Sequence, residues 1–452
     1  MTYDYDVIFI GSGHANWHAA VTLSQVGKKV AIVEKDVTAG TCTNYGCNAK
    51  FLLDSPFEFI DALSRYEKAG ITGNTKVNWQ ELMAYKKSEI PTYAPLMEGM
   101  FAQMQIDLLK GYGKLVDAHT VSVDDDRVSA DYIVLGTGQR PARLAIKGQE
   151  YLHDSRDFLD LDKMPKRITF IGAGIISMEF ATMAAKLGSE VHVIEYADRA
   201  LAAYQENYVD SVVAKMTAEG VHFHFNQAVQ AVEETAAGLR VTTAQGLELE
   251  TDYVLDATGR IPNVENLGLD ELGIAYNRSG IVVNDHLQTS VPNIFASGDV
   301  IDKTIPRLTP TASFESDYIA AFILGLNQEA IKYPAIPNLV YTFPRIAQVG
   351  VSVAEAREND AYRIVEIPFG QQLKFQTKLE DEAHVTLIVN QNKELVGELV
   401  GASLLGNEAG EMINLLTLMI NQKVTARDLS QMIFVFPGTT SGLISAVKMA
   451  LM

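Results

Sequence analysis

Cysteine is scarce: the chain has 2 among 452 residues, which excludes the many-bridged framework of a small secreted domain. Positive charge is short as well, with 37 Lys and Arg against 56 Asp and Glu and a formal net charge of −19. That balance argues against general nucleic-acid binding, which needs clustered cations to neutralise phosphate. Its plainest meaning is solubility, and Asp124-Asp125-Asp126 reads as a solvated turn. Long hydrophobic runs are missing too. The apolar stretch from Tyr318 to Leu326 is far shorter than the ~20 residues that span a bilayer. The first apolar strand begins near Asp6, which leaves no room for a secretion signal, so a cytoplasmic protein without membrane contact is the expectation.

What is present is a folded chain, with 47% hydrophobic residues and 33 glycines. It is too long for one ordinary core and suggests about three domains. Both cysteines sit in one stretch, GTCTNYGCNAK, Gly40 to Lys50. A bond between Cys42 and Cys47 would close too small a loop to remove much unfolded-chain entropy. Redox chemistry is the better reason for the pair, since vicinal thiols beside an electron carrier can pass two electrons on and re-form their disulfide. The bland alternative is two reduced, buried, small apolar residues.

The surroundings favour redox. DVIFI (Asp6 to Ile10) reads as a buried strand, followed by the glycine turn GSG, a helix to Gly27 and a second strand ending at Glu34. In this βαβ order Gly11 allows a tight turn and Gly13 lets a pyrophosphate approach the helix N-terminus. Glu34 follows Gly11 by 23 residues, where a carboxylate can accept bonds from ribose hydroxyls. The third glycine position holds Asn16, whose side chain is expected to crowd helix against strand. A second unit, ITFIGAGIISMEFATMAAKLGSEVHVIEY, repeats the pattern with Gly172, Gly174 and Glu195, again 23 residues apart from first glycine to acid. Two such units in one chain point to two dinucleotide sites. Ser177 takes the third glycine position here. Acid at 195 favours an unphosphorylated ribose, hence NADH over NADPH, while Arg199 nearby works in the other direction.

Between the units, residues from about Phe51 to Lys110 carry apolar residues at helical spacing and are expected to form helices over the first sheet, their methionines serving as core filler. Lys114 to Leu135 and His222 to Leu255 read as antiparallel meanders. YIVLGTGQRP and YVLDATGRIPN end in matching turns, and VPNIFASGDV places Asp299 after a glycine at a strand end. From about Asn338 onward strands (LVYTF, HVTLIV, ELVGELVGASLL) mix with two helices and no glycine-rich phosphate turn, an α+β domain suited to packing against a partner.

Together, the paired cysteines, two nucleotide units, the TG turns, ASGDV, LTPTA (Leu308 to Ala312), TFPRIAQVG and GEMI resemble the flavin-dependent pyridine nucleotide-disulfide oxidoreductases. The resemblance covers nearly the whole chain. It implies an α/β protein with two Rossmann-like dinucleotide-binding domains, one for FAD and one for NAD, followed by an α+β dimerisation domain. The corresponding spans are 1–148 and 266–335 for the two parts of the FAD-binding domain, 149–265 for the NAD(P)-binding domain and 336–452 for the interface domain. It further implies FAD at Gly11, Gly13, Glu34, Lys35, Thr41, Thr137, Gly138, Asp299 and Ala312, and NAD(P)H at Gly172, Gly174, Glu195 and Gly259. A homodimer and a small-molecule electron acceptor are implied as well. Cys47 would face the flavin as the thiolate and Cys42 would meet the substrate, with Lys50 and Glu179 matching a family ion pair. The usual lysine comes four residues after the second cysteine, whereas Lys50 comes three after Cys47, so either the turn is one residue shorter or Lys50 lies at the surface. No resident metal is implied.

One departure limits the reading. Family disulfide reductases end in a motif of the form HPTLSE, whose histidine protonates the departing thiolate across the dimer interface. Here IFVFPGTTS occupies the place, with Phe436 at the histidine position and Ser441 at the glutamate position, and the last histidine in the chain is His384. Loss of a positioned general acid typically costs ~10²- to 10⁴-fold. Three readings stay open: a disulfide reductase with its acid elsewhere, a reductase of a metal ion, quinone, oxygen or reactive oxidant, and a flavoprotein that binds without turnover.

Overall fold

The computed structural model describes residues 2–73, 75–391 and 397–452. In the first sheet the parallel strands β1 (Tyr5–Ile10) and β2 (Val30–Glu34) stand side by side, Val7 opposite Val30 and Ile10 opposite Val33. Both are Val/Ile-rich and buried on each face, as parallel strands covered by helices must be. Asp107–Lys110 pairs with the outer side of β2, and Asp126–Leu135 with the inner side of β1. DLLK is thus a strand, where helical spacing predicts helix: the helix before it, Tyr93–Gln103, ends two residues before Gln105, which takes a positive φ. The first meander forms as expected, Gly113–Leu115 to Thr120–Val123 to Asp126–Leu135, but the second half of its last strand runs on beside β1. Ile294–Ala296 completes the sheet along that same strand.

The helix α1 (His14–Gln25) leaves the first glycine turn and packs on Thr309–Ile323. Asn16 does not force it off the sheet. Its amide donates to Ile10 O and Gly11 O at 2.9 and 2.8 Å, and the space is supplied opposite by Gly136, where a Cβ would come within 2.4 Å of the Asn16 side chain.

The second sheet is parallel, in the order Val221–His224, Glu190–Ile194, Arg167–Ile171, Tyr253–Asp256, Leu152–His153. Val221–His224 and Tyr253–Asp256 therefore belong to this sheet, and only Val229–Thr235, Gly238–Thr243 and Glu248–Thr251 between them form the meander expected over His222 to Leu255. The reason is register: Val221 and Phe223 continue the apolar face of Val191 and Val193. The last sheet is antiparallel, ordered Asn338–Val340, Ile346–Gly350, Glu398–Leu405, His384–Asn390, Tyr362–Ile367. The first residues of the expected strand ELVGELVGASLL, 394–396, lie outside the described residues. The longer helices Ala409–Asn421 and Thr439–Ala450 cover this sheet, joined by shorter ones such as Val353–Arg357 and Ala426–Ser430.

Two further helices, α2 (Gly40–Tyr45) and α3 (Cys47–Tyr66), carry the cysteines. Ala49, Leu53 and Phe57 of α3 enter a core shared with Phe180 and Met183 of the second sheet's layer and with Val340, Phe343 and Leu405 of the last domain. This helix therefore ties the cysteine segment to the second sheet's layer and to the last domain. Among the described residues no helix is long and apolar enough to cross a membrane.

Candidate active site

The cysteines are set by a break between two helices. Gly46 lies between α2 and α3, and a Cβ there would come 3.1 Å from Thr41 O, so the chain closes tightly enough to bring the sulfurs within hydrogen-bonding reach. Cys47 opens the 20-residue α3, where unpaired backbone N–H groups and the helix dipole favour a thiolate. Its Sγ lies 3.5 Å from Thr309 Oγ1. The hydrogen bond from Cys42, that from Thr309 and the field of Lys50 together pull Cys47, a solvent-accessible thiol, well below the ordinary thiol range against the partial desolvation its neighbours impose. The same Cys47 contact and burial push Cys42 up. The two thiols are thus differentiated: one ready to ionise, one keeping its proton.

Lys50 is not at the surface, its side chain being 15% exposed. Its Nζ lies 3.4 Å from Glu179 Oε1 and 3.1 Å from the centroid of the Tyr341 ring. Glu179, buried on the helix Ile175–Lys186, also accepts from Tyr341 N at 2.9 Å. In the first turn of α3 Lys50 N bonds Gly46 O at 2.9 Å, the regular helical bond.

Around the cysteines the first glycine turn is built to be approached. Gly11 has φ +102°, and a Cβ on it would meet Gly136 O at 2.5 Å; a Cβ on Gly40, at φ +72°, would meet Gly13 Cα at 2.8 Å. Backbone thus lies on backbone where the phosphate turn touches α2, while Gly13 and Gly138 face open space on their Cβ sides, with no atom nearer than 3.9 Å. Glu34 Oε2 accepts from Ser12 N and Oγ at 2.9 and 2.6 Å and Oε1 from Asp36 N, which holds the turn to the end of β2. Thr137 Oγ1 donates to Asn263 O and Asn263 Nδ2 to Thr137 O, tying the two matching turns together. Asp299 stands in the short turn Gly298–Val300 facing Arg260, and Ala312 is buried in the first turn of Thr309–Ile323. Thr41 is exposed on α2, and Lys35 lies at the surface with its ammonium 5.1 Å from the Tyr112 ring. This glycine-lined cradle, open beside Gly13 and ending at Cys47, fits a flavin dinucleotide.

The second turn repeats the construction. A Cβ on Gly172 would meet Ala257 O at 2.8 Å, Gly174 and Gly259 face open space, and the Glu195 carboxylate accepts from Ala173 N and Ala197 N. Arg199 turns away, donating to Tyr204 O at 2.6 Å and Leu201 O at 3.5 Å.

A family model described as pyridine nucleotide-disulphide oxidoreductase matches residues 5–316, and one described as its dimerisation domain matches residues 336–446. The chain belongs to this family. Members use FAD and a pyridine nucleotide, and the chain is a flavin-dependent oxidoreductase of this kind. A dihydrolipoyl dehydrogenase of Bacillus subtilis is 32% identical, over 99% of this chain and 96% of its own. A glutathione reductase of Nostoc sp. is 30% identical, over 98% and 100%. Among solved structures, the HOCl-induced flavoprotein disulfide reductase RclA from Escherichia coli superposes with a TM-score of 0.87 at 25% identity, covering 98% of this chain and 99% of that one. A Cu(II) complex of a cysteine-to-serine mutant of RclA matches with a TM-score of 0.88.

Sequence reasoning missed four residues of this pyridine nucleotide-disulphide oxidoreductase site. Thr309 and Tyr341 stand beside Cys47 and Lys50 from distant parts of the chain, and Asp54 and Arg345 pair beneath them. Thr309 and Arg345 lie inside the strings LTPTA and TFPRIAQVG, whose resemblance was legible though the role of these side chains was not, and Asp54 had a local signal as a charge one turn below Lys50 on α3.

Proposed function

We propose that the chain is an NADH-dependent flavoenzyme in which Cys42 and Cys47 form the redox-active pair and reduce a disulfide or related thiol-reactive acceptor. The observation that carries this reading is the placement of Cys47 at the head of α3, over the Lys50–Glu179 pair and at the open end of the glycine cradle. Gly11, Gly13, Glu34, Gly138 and Asp299 would hold FAD, with Lys35, Thr41, Thr137 and Ala312 at its margins; Gly172, Gly174, Glu195 and Gly259 would hold the nicotinamide nucleotide. Bound FAD supplies two-electron exchange between the nicotinamide and the sulfur pair. Lys50 holds the thiolate of Cys47, while Cys42, which keeps its proton, is the thiol that meets the acceptor. Glu195 supports NADH, since a 2′-phosphate would face its carboxylate while the Arg199 guanidinium is occupied with backbone carbonyls. A cytoplasmic setting suits a pair that must be re-reduced at each turnover.

A second reading, an acceptor that needs no thiol protonation such as a metal ion or reactive oxidant, is favoured by the segment 432–436. Phe436 is 82% exposed with Lys374 Nζ 5.1 Å from its ring, and Ser441 accepts from Lys374 and donates to Gly438 O. Among the described residues no histidine–carboxylate pair stands there. The similarity to RclA, an HOCl-induced reductase whose mutant was solved as a Cu(II) complex, points the same way. Ile433 is 100% exposed and Val435 81%, which supports a homodimer that covers this run. The deciding experiment is an acceptor screen with NADH using the parent, Cys42→Ser and the double variant Phe436→His/Ser441→Glu. NADH oxidation that depends on an added disulfide, is lost in Cys42→Ser and rises at least tenfold in the double variant supports the first reading. Turnover with Cu(II) or oxidant but none with any disulfide, in the parent and the double variant alike, supports the second.

A further inference from the structure

The face of α3 that carries Cys47 and Lys50 does not become apolar below them. Cys47, Lys50, Asp54 and Glu58 recur at helical intervals and share one stripe. Two turns below the thiol, Asp54 is 0% exposed. Its Oδ2 lies 3.4 Å from Arg345 Nη2, and that same nitrogen is nearer to Glu58, at 2.7 Å. Asp54 Oδ1 and Arg345 Nε have no hydrogen-bond partner. Besides Arg345 and Glu58, the groups facing Asp54 are Lys50 and Glu179, with Tyr341 close enough to feel its charge.

A carboxylate buried with one long, shared contact and one orphan oxygen falls short of what would offset its desolvation. The neutral carboxyl is much cheaper to bury. Burial accordingly lifts Asp54 to about 7, opposed by Arg345 and Lys50 and assisted by Glu179 and Glu58. If ionised, it would set a second carboxylate beside Glu179 around Lys50, cancelling the field that favours a thiolate at Cys47.

We propose that Asp54 is a positioning residue for the redox thiol: besides Glu179, Lys50 supports one anion at a time, the Cys47 thiolate or the Asp54 carboxylate. When the S–H of Cys47 gives up its proton, the O–H of Asp54 is retained or formed, so one proton is redistributed between the two rather than two being lost. The inference rests on Cys47 being the thiolate member of the pair, yet it needs neither acceptor nor nucleotide, so a failed acceptor screen leaves it standing or falling by itself.

The test uses the Cys42→Ser holoenzyme, in which serine keeps a donor beside Cys47, and follows ultraviolet thiolate absorbance by difference across about pH 5 to 9. The expected result is a titration broader than one proton, which Asp54→Asn in that background turns into a single step with a midpoint lower by about 0.5 to 1 unit and alkylation near pH 7, where the Asp54 carboxylate competes, about twofold faster. A merely structural Asp54 would change stability and leave breadth and midpoint alone, and that result overturns the proposal. If Asp54→Asn does not fold, infrared spectra of the Cys42→Ser protein at neutral pH decide: its protonated-carboxyl band should shrink when iodoacetamide blocks Cys47, because removing the thiolate lets Asp54 ionise. A band that stays unchanged overturns the proposal equally.

Discussion

Replacing Lys50 by methionine keeps the length of the side chain and removes its charge from beside Cys47. Residues three apart on a helix have Cβ atoms ~5–6 Å apart, and a unit charge at ~6 Å in an effective dielectric of ~20 contributes about 3 kcal/mol, or roughly 2 pKa units. Glu179, 3.4 Å from the ammonium, cancels about half of that field at the sulfur. The net expectation is a rise of about 1 unit from the depressed value of about 6 for Cys47. The sign follows from the charge: the cation favours the thiolate, so its removal shifts ionisation to higher pH and lowers the thiolate fraction near pH 6 about fivefold. Alkylation rate against pH in the Cys42→Ser background reads this directly. Adding Glu179→Gln should recover part of the loss, because the buried carboxylate would no longer stand unpaired near the sulfur. A Cys47 midpoint unmoved by Lys50→Met, or a double variant shifted further than the single one, would refute the reasoning.

Gly40→Ala places a Cβ 2.8 Å from Gly13 Cα at a φ of +72°, which costs about 1–2 kcal/mol in backbone strain before any clash; the purified variant should carry far less flavin per chain than the parent, and equal flavin content would contradict the cradle as drawn. Glu195→Ala should raise NADPH use relative to NADH about tenfold by removing like charge. Arg199→Ala should leave that ratio alone, since its guanidinium bonds Tyr204 O and Leu201 O; a ratio that moves with Arg199 but not with Glu195 would reverse the assignment.

The nucleotide units were legible because their chemistry is local. A strand, a glycine with positive φ, a helix and an acid within a short stretch specify the turn from their own backbone needs, as Gly11 and Gly172 show. The accommodation of Asn16 was not legible, because the room for it comes from Gly136, just past the end of a strand far along the chain. Lys50 was ambiguous for the same kind of reason. Counting from Cys47 gives its helix position, but only Glu179 and the Tyr341 ring, from two other bodies, make it a buried cation. Where apolar periodicity was the sole guide, at DLLK and around His222, short strands were mistaken for helix or meander: four residues cannot distinguish the periods, and parallel pairing across the sheet decides.

The most direct measurement is an anaerobic NADH titration of the purified yellow protein, comparing the parent with Cys47→Ser. The first equivalent of NADH per chain should pass through the flavin to the sulfurs and leave a long-wavelength absorbance from the Cys47 thiolate beside oxidised flavin, which the variant lacks, and a second equivalent should then bleach the flavin and that band together. A parent that takes up one equivalent and gives the same spectrum as Cys47→Ser would mean that the sulfur pair stands outside the electron path.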